Sequence, residues 1–174
     1  MVTGRSPTGA SVVVSDGSAP RSHAYEHIPG LVETLVWATG ADVEPSEGDG
    51  TDPTAVARSY VPPRGGTRLI WLEIPPDTAA AGTGFDPAAA RAEQLAASPG
   101  LAQRFEEGAP GMHTTPTVDY AVLVRGELWL ELDDGHETRL RPGDVVVQDG
   151  TRHAWRNHGD SPATLAVVLV GTDR

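Results

Sequence analysis

The sequence predicts an all-β fold, an antiparallel sandwich or barrel, on three observations. From about Met112 onward, short β-rich runs alternate with turn residues: VDYAVLV, ELWLEL, TRL, DVVVQ, HAWRN and ATLAVVLV. No helical segment separates them, so neighbouring runs pair directly and not through crossovers. Asp134 and Gly135 stand where a tight hairpin reversal is expected, and Pro142 with Gly143 marks another corner.

Taken in order, the N-terminal part offers strands at 11–14 (SVVV), 33–38 (ETLVWA) and 67–74 (TRLIWLEI). Between the second and third, residues 42–66 are rich in Gly, Pro, Asp and Glu and read as a long loop. A helical insert follows. Asp86 suits an N-cap, Pro87 the first helical position, and AAARAEQLAA is strong helix-forming sequence ending at the Ser98-Pro99 step. A second short helix is expected over 101–107, stopping at Gly108. The insert is either a packed surface excursion or a cover over the barrel mouth, since it leads into the segment carrying His113. Residues 165–170 are continuously apolar, as expected for a strand buried on both faces or closing the barrel. The expected organisation is one domain over 1–174, divided into N-terminal strands and loop (1–85), insert (86–110) and motif-bearing core (111–174).

Composition narrows the chemistry. With 174 residues and 39% of them apolar, the chain supports one hydrophobic core. The 24 acidic and 13 basic side chains give a net charge of −11, which repels nucleic acid and anionic membrane. Every basic residue is Arg, so no amine is present for Schiff-base chemistry. Cysteine is absent, leaving His, Asp and Glu as the strong metal ligands. The segment MVTGRSPTGASVVVSDG lacks the apolar run of a secretory signal and no stretch approaches a membrane span, so a cytoplasmic location is expected.

Period-two alternation puts His113, Thr115, Thr117 and Asp119 on one strand face, and His153, Trp155 and Asn157 on another. Several other residues have quieter expectations. His23 and His27, four apart beside Pro29 and Gly30, read as a solvent-exposed loop pair, and His136 and His158 also read as exposed. Trp37, Trp71 and Trp129 are expected in the core or lining a pocket, with Tyr120 packed on the face opposite Asp119. Arg68 and Arg152 are candidates to pair with an anionic substrate.

From about Gly108 onward the chain resembles a cupin domain. The first cupin motif has the form HxH, three or four residues, Glu, six residues, Gly; His113, Thr115, Asp119 and Gly126 stand in those places. The second, PxGxxHxxxN, is matched from its end by Gly150, His153 and Asn157, with Gln148 where Pro is usual. The resemblance implies a double-stranded β-helix (jelly-roll) barrel and, from Gly143 to His153, one residue fewer than is customary. Metal-binding cupins use both motif-one histidines, the Glu and the motif-two His. Thr115 replaces one imidazole here and Asp119 replaces the Glu.

The resemblance therefore implies a metal set of His113, His153 and Asp119, two imidazoles and a carboxylate, suited to a divalent Fe, Mn, Ni or Zn ion. Asp119 and Thr115 are the candidate catalytic groups, and Trp155, Asn157, Thr117 and Gln148 the candidate substrate contacts. The implied activity is that of a small-molecule enzyme with a mononuclear metal, of dioxygenase, isomerase, cyclase or decarboxylase type, in secondary or aromatic metabolism. The alternative is a metal-free cupin that binds a small ligand or works as a His-based epimerase or isomerase. A homodimer is implied by the resemblance alone.

Overall fold

Each apolar run read above turns alternate side chains inward, and the partners it finds decide the architecture. The computed structural model describes residues 1–42, 51–80, 82 and 84–173; the part of the expected loop at 43–50 lies outside the described residues. The strands are β1 (Val2–Arg5), β2 (Ser11–Ser15), β3 (Arg21–Ala24), β4 (Val32–Thr39), β5 (Thr67–Ile74), β6 (Thr117–Arg125), β7 (Leu128–Glu131), β8 (Glu137–Leu140), β9 (Val145–Asp149), β10 (Ala154–Arg156) and β11 (Ala163–Gly171). All named strands pair antiparallel. A six-stranded sheet runs β3-β4-β5-β11-β6-β9, a three-stranded sheet runs β10-β7-β8, and β1 with β2 forms a separate hairpin.

The core lies between the two larger sheets. Leu35, Ile70, Leu123, Leu165, Val167 and Leu169 come from the six-stranded sheet and meet Leu128, Leu130 and Leu140 of the three-stranded one. The continuous apolar run of β11 is explained by its place between β5 and β6. Leu165, Val167 and Leu169 are buried, while Ala166, Val168 and Val170 are half-buried on the outer face. That outer face stays apolar across neighbouring strands, with Tyr120, Val145, Val147 and Trp71 exposed. The expected packed positions of Trp71 and Tyr120 are thus corrected: both point outward, because their inward neighbours Ile70 and Asp119 take the core side.

Positive φ matters most at two turns beside β7. Asp134 and Gly135 have φ of 59° and 69°, the primed-turn conformation that matches strand twist between β7 and β8. Gly126 has φ of +80°, and a Cβ there would lie 2.8 Å from the Cα of Ala163.

Helix α1 (Pro87–Ala97) begins as expected, with the Asp86 carboxylate accepting from the amides of Ala88 and Ala89. The expected second helix is only a 3-10 turn, Ala102–Arg104. Phe105 is already extended and bridges to His113, so strand-like pairing overrides local helix propensity. The described part of the long loop is tied down: Tyr60 and Thr54 are buried, Arg21 donates to the carbonyls of Thr54 and Ala57, and Arg68 Nε donates to the Ser59 carbonyl at 2.8 Å. No apolar run marks β1 or β3; their pairing with β2 and β4 supplies the order.

Candidate functional site

His113 and His153 are joined by the backbone before their rings meet. Each donates its amide to the other's carbonyl, at 3.0 and 2.9 Å, forming a closely spaced bridge just outside β6 and β10. The ring centroids stand 4.3 Å apart, so the two remote imidazoles of the sequence do share one site. His113 Nδ1 lies 2.9 Å from the Gly111 carbonyl and His153 Nδ1 lies 2.9 Å from the Thr151 carbonyl. A carbonyl only accepts, so each Nδ1 carries the proton and each Nε2 is left as a bare acceptor. Phe105 and Trp155 hold the rings edge-on from either side, with centroids at 4.9 and 5.6 Å.

The rings open into a cavity of about 180 Å³, lined also by Thr115, Asp119, Gln148 and Trp155, and floored by Ile70, Leu72, Ala121, Val167 and Leu169. Asp119 and Gln148 are cross-strand partners on β6 and β9. Gln148 Oε1 accepts from Thr151 Oγ1, but its Nε2 is a buried donor with no partner, and Asp119 Oδ1 is a buried acceptor with none. Such groups are costly to leave unpaired, which marks this spot for a ligand.

Burial sets the protonation states. It lowers the pKa of both imidazoles, His153 to about 4 with the neighbouring His113 adding to the effect. Burial raises Asp119 to about 6, against a hydrogen bond from Thr117 that lowers it. The usual order is reversed: between about pH 4 and 6 the proton rests on the Asp119 carboxyl while His153 is neutral.

Several expected roles are corrected. Asn157 is fully buried and is not on the cavity wall. Its Nδ2 donates to the carbonyls of Ile74 and Ser161, both at 3.0 Å, and its Oδ1 accepts from the Gly159 amide, also at 3.0 Å, so it stitches a turn. Thr117 is buried behind the wall, hydrogen-bonded at 2.7 Å to Thr115, which does line it. Arg68 is spent on the backbone carbonyls of Ser59, Thr39 and Thr67, and Arg152 pairs with Glu106 and Asp133 at the surface. Among the described residues, no arginine lines the cavity wall.

The expected metal set also fails to assemble. Asp119 shares the cavity with the imidazoles, yet among the described residues no group of three or more His, Cys, Asp or Glu side chains could hold a metal ion. Two Nε2 atoms without a third protein donor do not fit the two-His, one-carboxylate site. The outlying histidines include two with carboxylate partners: His23 contacts Glu93 and His158 contacts Asp77 and Glu137.

Sequence reasoning missed the opposite wall. Tyr25, Glu33, Gln94, Ser98 and Leu101 line the same cavity, which makes the end of α1 and the chain after it a wall of the site. Glu33 stands on β4 with its neighbours alternating in burial, but a Glu in ETLVWA carries no signal of facing inward. The hydrophobic positions around it, Leu35 and Ala38, were the available hint.

The chain is similar to known proteins over part of its length. A family model of the cupin domain matches residues 103–170. Oryzines biosynthesis cluster protein J of Aspergillus oryzae is 44% identical over 60 residues, 34% of this chain and 34% of that protein. A cupin-domain-containing oxidoreductase of Aspergillus ruber is 36% identical over 78 residues, 41% of this chain and 38% of that one. The chain thus matches about a third of the length of these relatives. A solved cupin-superfamily sugar phosphate isomerase from Silicibacter pomeroyi aligns with 87% of this chain and 69% of its own, at 15% identity and a TM-score of 0.43. Residues 103–170 carry a cupin domain.

Proposed function

We propose that this protein is a proton-transferring enzyme, an isomerase acting on a small uncharged molecule of secondary metabolism. One observation carries the reading: two bare imidazole acceptors and the unpaired Asp119 oxygen are buried in one cavity that, among the described residues, is lined by no arginine. His113 and His153 Nε2 receive an O–H or N–H of the substrate and fix its orientation. Asp119 takes a proton from the adjacent carbon, the electron pair shifts the double bond, and the same carboxyl returns the proton at the far carbon. Gln148 Nε2 donates to the oxygen on which charge develops, and Thr115 holds the polar end of the wall. Trp155 and Phe105 exclude water beside the rings. Without a complete donor set for a metal, no step is routed through one.

The biosynthetic-cluster names of the relatives support secondary metabolism as the setting. We read 1–174 as one domain, supported by β5 lying between β4 and β11 in a single sheet, and the protein as cytoplasmic. Among the described residues no helix is long and apolar enough to cross a membrane. A second copy of the chain is the partner that fits the apolar outer face around Tyr120, Val145 and Val147.

The test pairs metal analysis with exchange. Small phenols and hydroxyketones are incubated with the protein in D2O and followed by mass spectrometry. Deuterium uptake that survives EDTA and vanishes in Asp119→Asn supports the reading. Near-stoichiometric transition metal that disappears in His113→Ala overturns it in favour of a metal enzyme.

A further inference from the structure

The cavity has a second polar pole. Glu33 on β4 is 5% exposed, lines the cavity, and keeps one carboxylate oxygen engaged: Tyr25 Oη donates to Oε2 at 2.8 Å and stands 3.0 Å from Ser98 Oγ. The other oxygen, Oε1, is buried and has no hydrogen-bond partner among the described residues. In sheet order β5 and β11 separate β4 from β6, so Glu33 and Asp119 belong to different ends of the site, with the apolar Ile70, Leu72, Val167 and Leu169 between them.

From this arrangement we infer that Glu33 is a substrate-binding residue that reads a hydrogen-bond donor, an amine or hydroxyl, at the end of the ligand remote from the histidines. Glu33 lines the cavity and its Oε1 is without a partner among the described residues, so a donor placed beside it is favoured, and an anion is repelled when the carboxyl is ionised. Among the described residues no arginine lines the wall to offset that repulsion, so carboxylates and phosphates are disfavoured at this end. The apolar floor sets the middle of the ligand as hydrocarbon or aromatic. The ligand class is therefore a short apolar molecule with donor groups at both ends, or with one donor free to be held here. Tyr25 and Ser98 act by fixing the carboxylate, and burial raises the Glu33 pKa, which is the cost a donor relieves.

This inference shares the cavity of the proposed function but not its acid–base step, so the two fail separately. Binding of four probes of similar size is measured by calorimetry: phenethylamine, 2-phenylethanol, ethylbenzene and phenylacetate. In the wild-type protein the amine or the alcohol binds about tenfold or more tighter than ethylbenzene, and phenylacetate binds more weakly than ethylbenzene. Which of the two donors gains more tells an amine ligand from a hydroxyl one. In Glu33→Met both advantages disappear while ethylbenzene still binds, and in Asp119→Asn they persist. Donor probes that bind no tighter than ethylbenzene in the wild type, including no binding of either, overturn the inference, as does an advantage that survives Glu33→Met. Should Glu33→Met not fold, a wild-type complex with phenethylamine decides: its nitrogen at Glu33 Oε1 supports the inference, and its nitrogen at Asp119 or the histidine pair overturns it. Loss of exchange chemistry in Asp119→Asn, or its absence altogether, bears on the isomerase reading alone.

Discussion

Replacing Asp119 by Asn should make the protein more stable at neutral pH while abolishing its chemistry. The carboxyl moves from 3.8 to about 6 on folding because burial disfavours its charge, and it is 5% exposed, so little solvent screening intervenes. At about 1.36 kcal/mol for each pH unit of displacement, holding it ionised in the fold costs about 3 kcal/mol. The sign follows from which state holds the proton more tightly. The folded form does, so stability is highest below the unfolded value of 3.8 and falls as pH rises, levelling off above about 6. Asn carries no charge and escapes this fall. Urea unfolding of both proteins at about pH 4.5 and pH 7.5 should show the stability difference growing by about 2 kcal/mol in favour of Asn at the higher pH. A difference that stays constant across that range, or shrinks, refutes the assignment of Asp119 as a carboxyl strained by burial.

The pH profile of turnover should rise through about pH 6 as Asp119 ionises, and a profile flat across that region counts against it as the base. Asn157→Ala strands the Gly159 amide and the carbonyls of Ile74 and Ser161, and should cost about 2–4 kcal/mol in urea unfolding; a loss below 1 kcal/mol, in order of magnitude, would mean the turn repairs itself. Gly126→Ala pushes a Cβ to 2.8 Å from the Ala163 Cα at positive φ, so its melting temperature should drop by several degrees, about 2 kcal/mol in stability. Val147→Glu on the exposed apolar face should convert a dimer to a monomer in light scattering, with an unchanged dimer ruling out that surface.

The all-β fold and the histidine pair were legible because both rest on local rules. Alternation puts Thr117 and Asp119 on the inward face of β6, and two imidazoles at cupin spacing have ring centroids 4.3 Å apart. What escaped rests on contacts distant in sequence. Asn157 matched a family position and alternated with His153, yet its amide closes a turn through Ile74, a partner 83 positions away. Phe105 followed helix-forming residues, but pairing with His113 drew it into extended structure. Glu33 is the clearest case: a carboxylate in a strand reads as solvent-facing unless Tyr25 and Ser98 are known to stand beside it.

The departures from the cupin metal motif and the charge of the cavity point the same way. Exchanging an imidazole for Thr115 removes a ligand and leaves a hydroxyl that pairs with Thr117 inside the wall. Exchanging Glu for Asp119 keeps a carboxyl in the cavity but outside any group of three ligands among the described residues. A group freed from a metal takes its protonation from burial, and here burial leaves neutral imidazoles facing a carboxyl that titrates near neutrality. That environment favours moving protons on uncharged molecules over binding anions. Among the described residues, the lack of arginine on the wall and the unpaired oxygens of Asp119 and Glu33 act in the same electrostatic sense, against anions and toward hydrogen-bond donors.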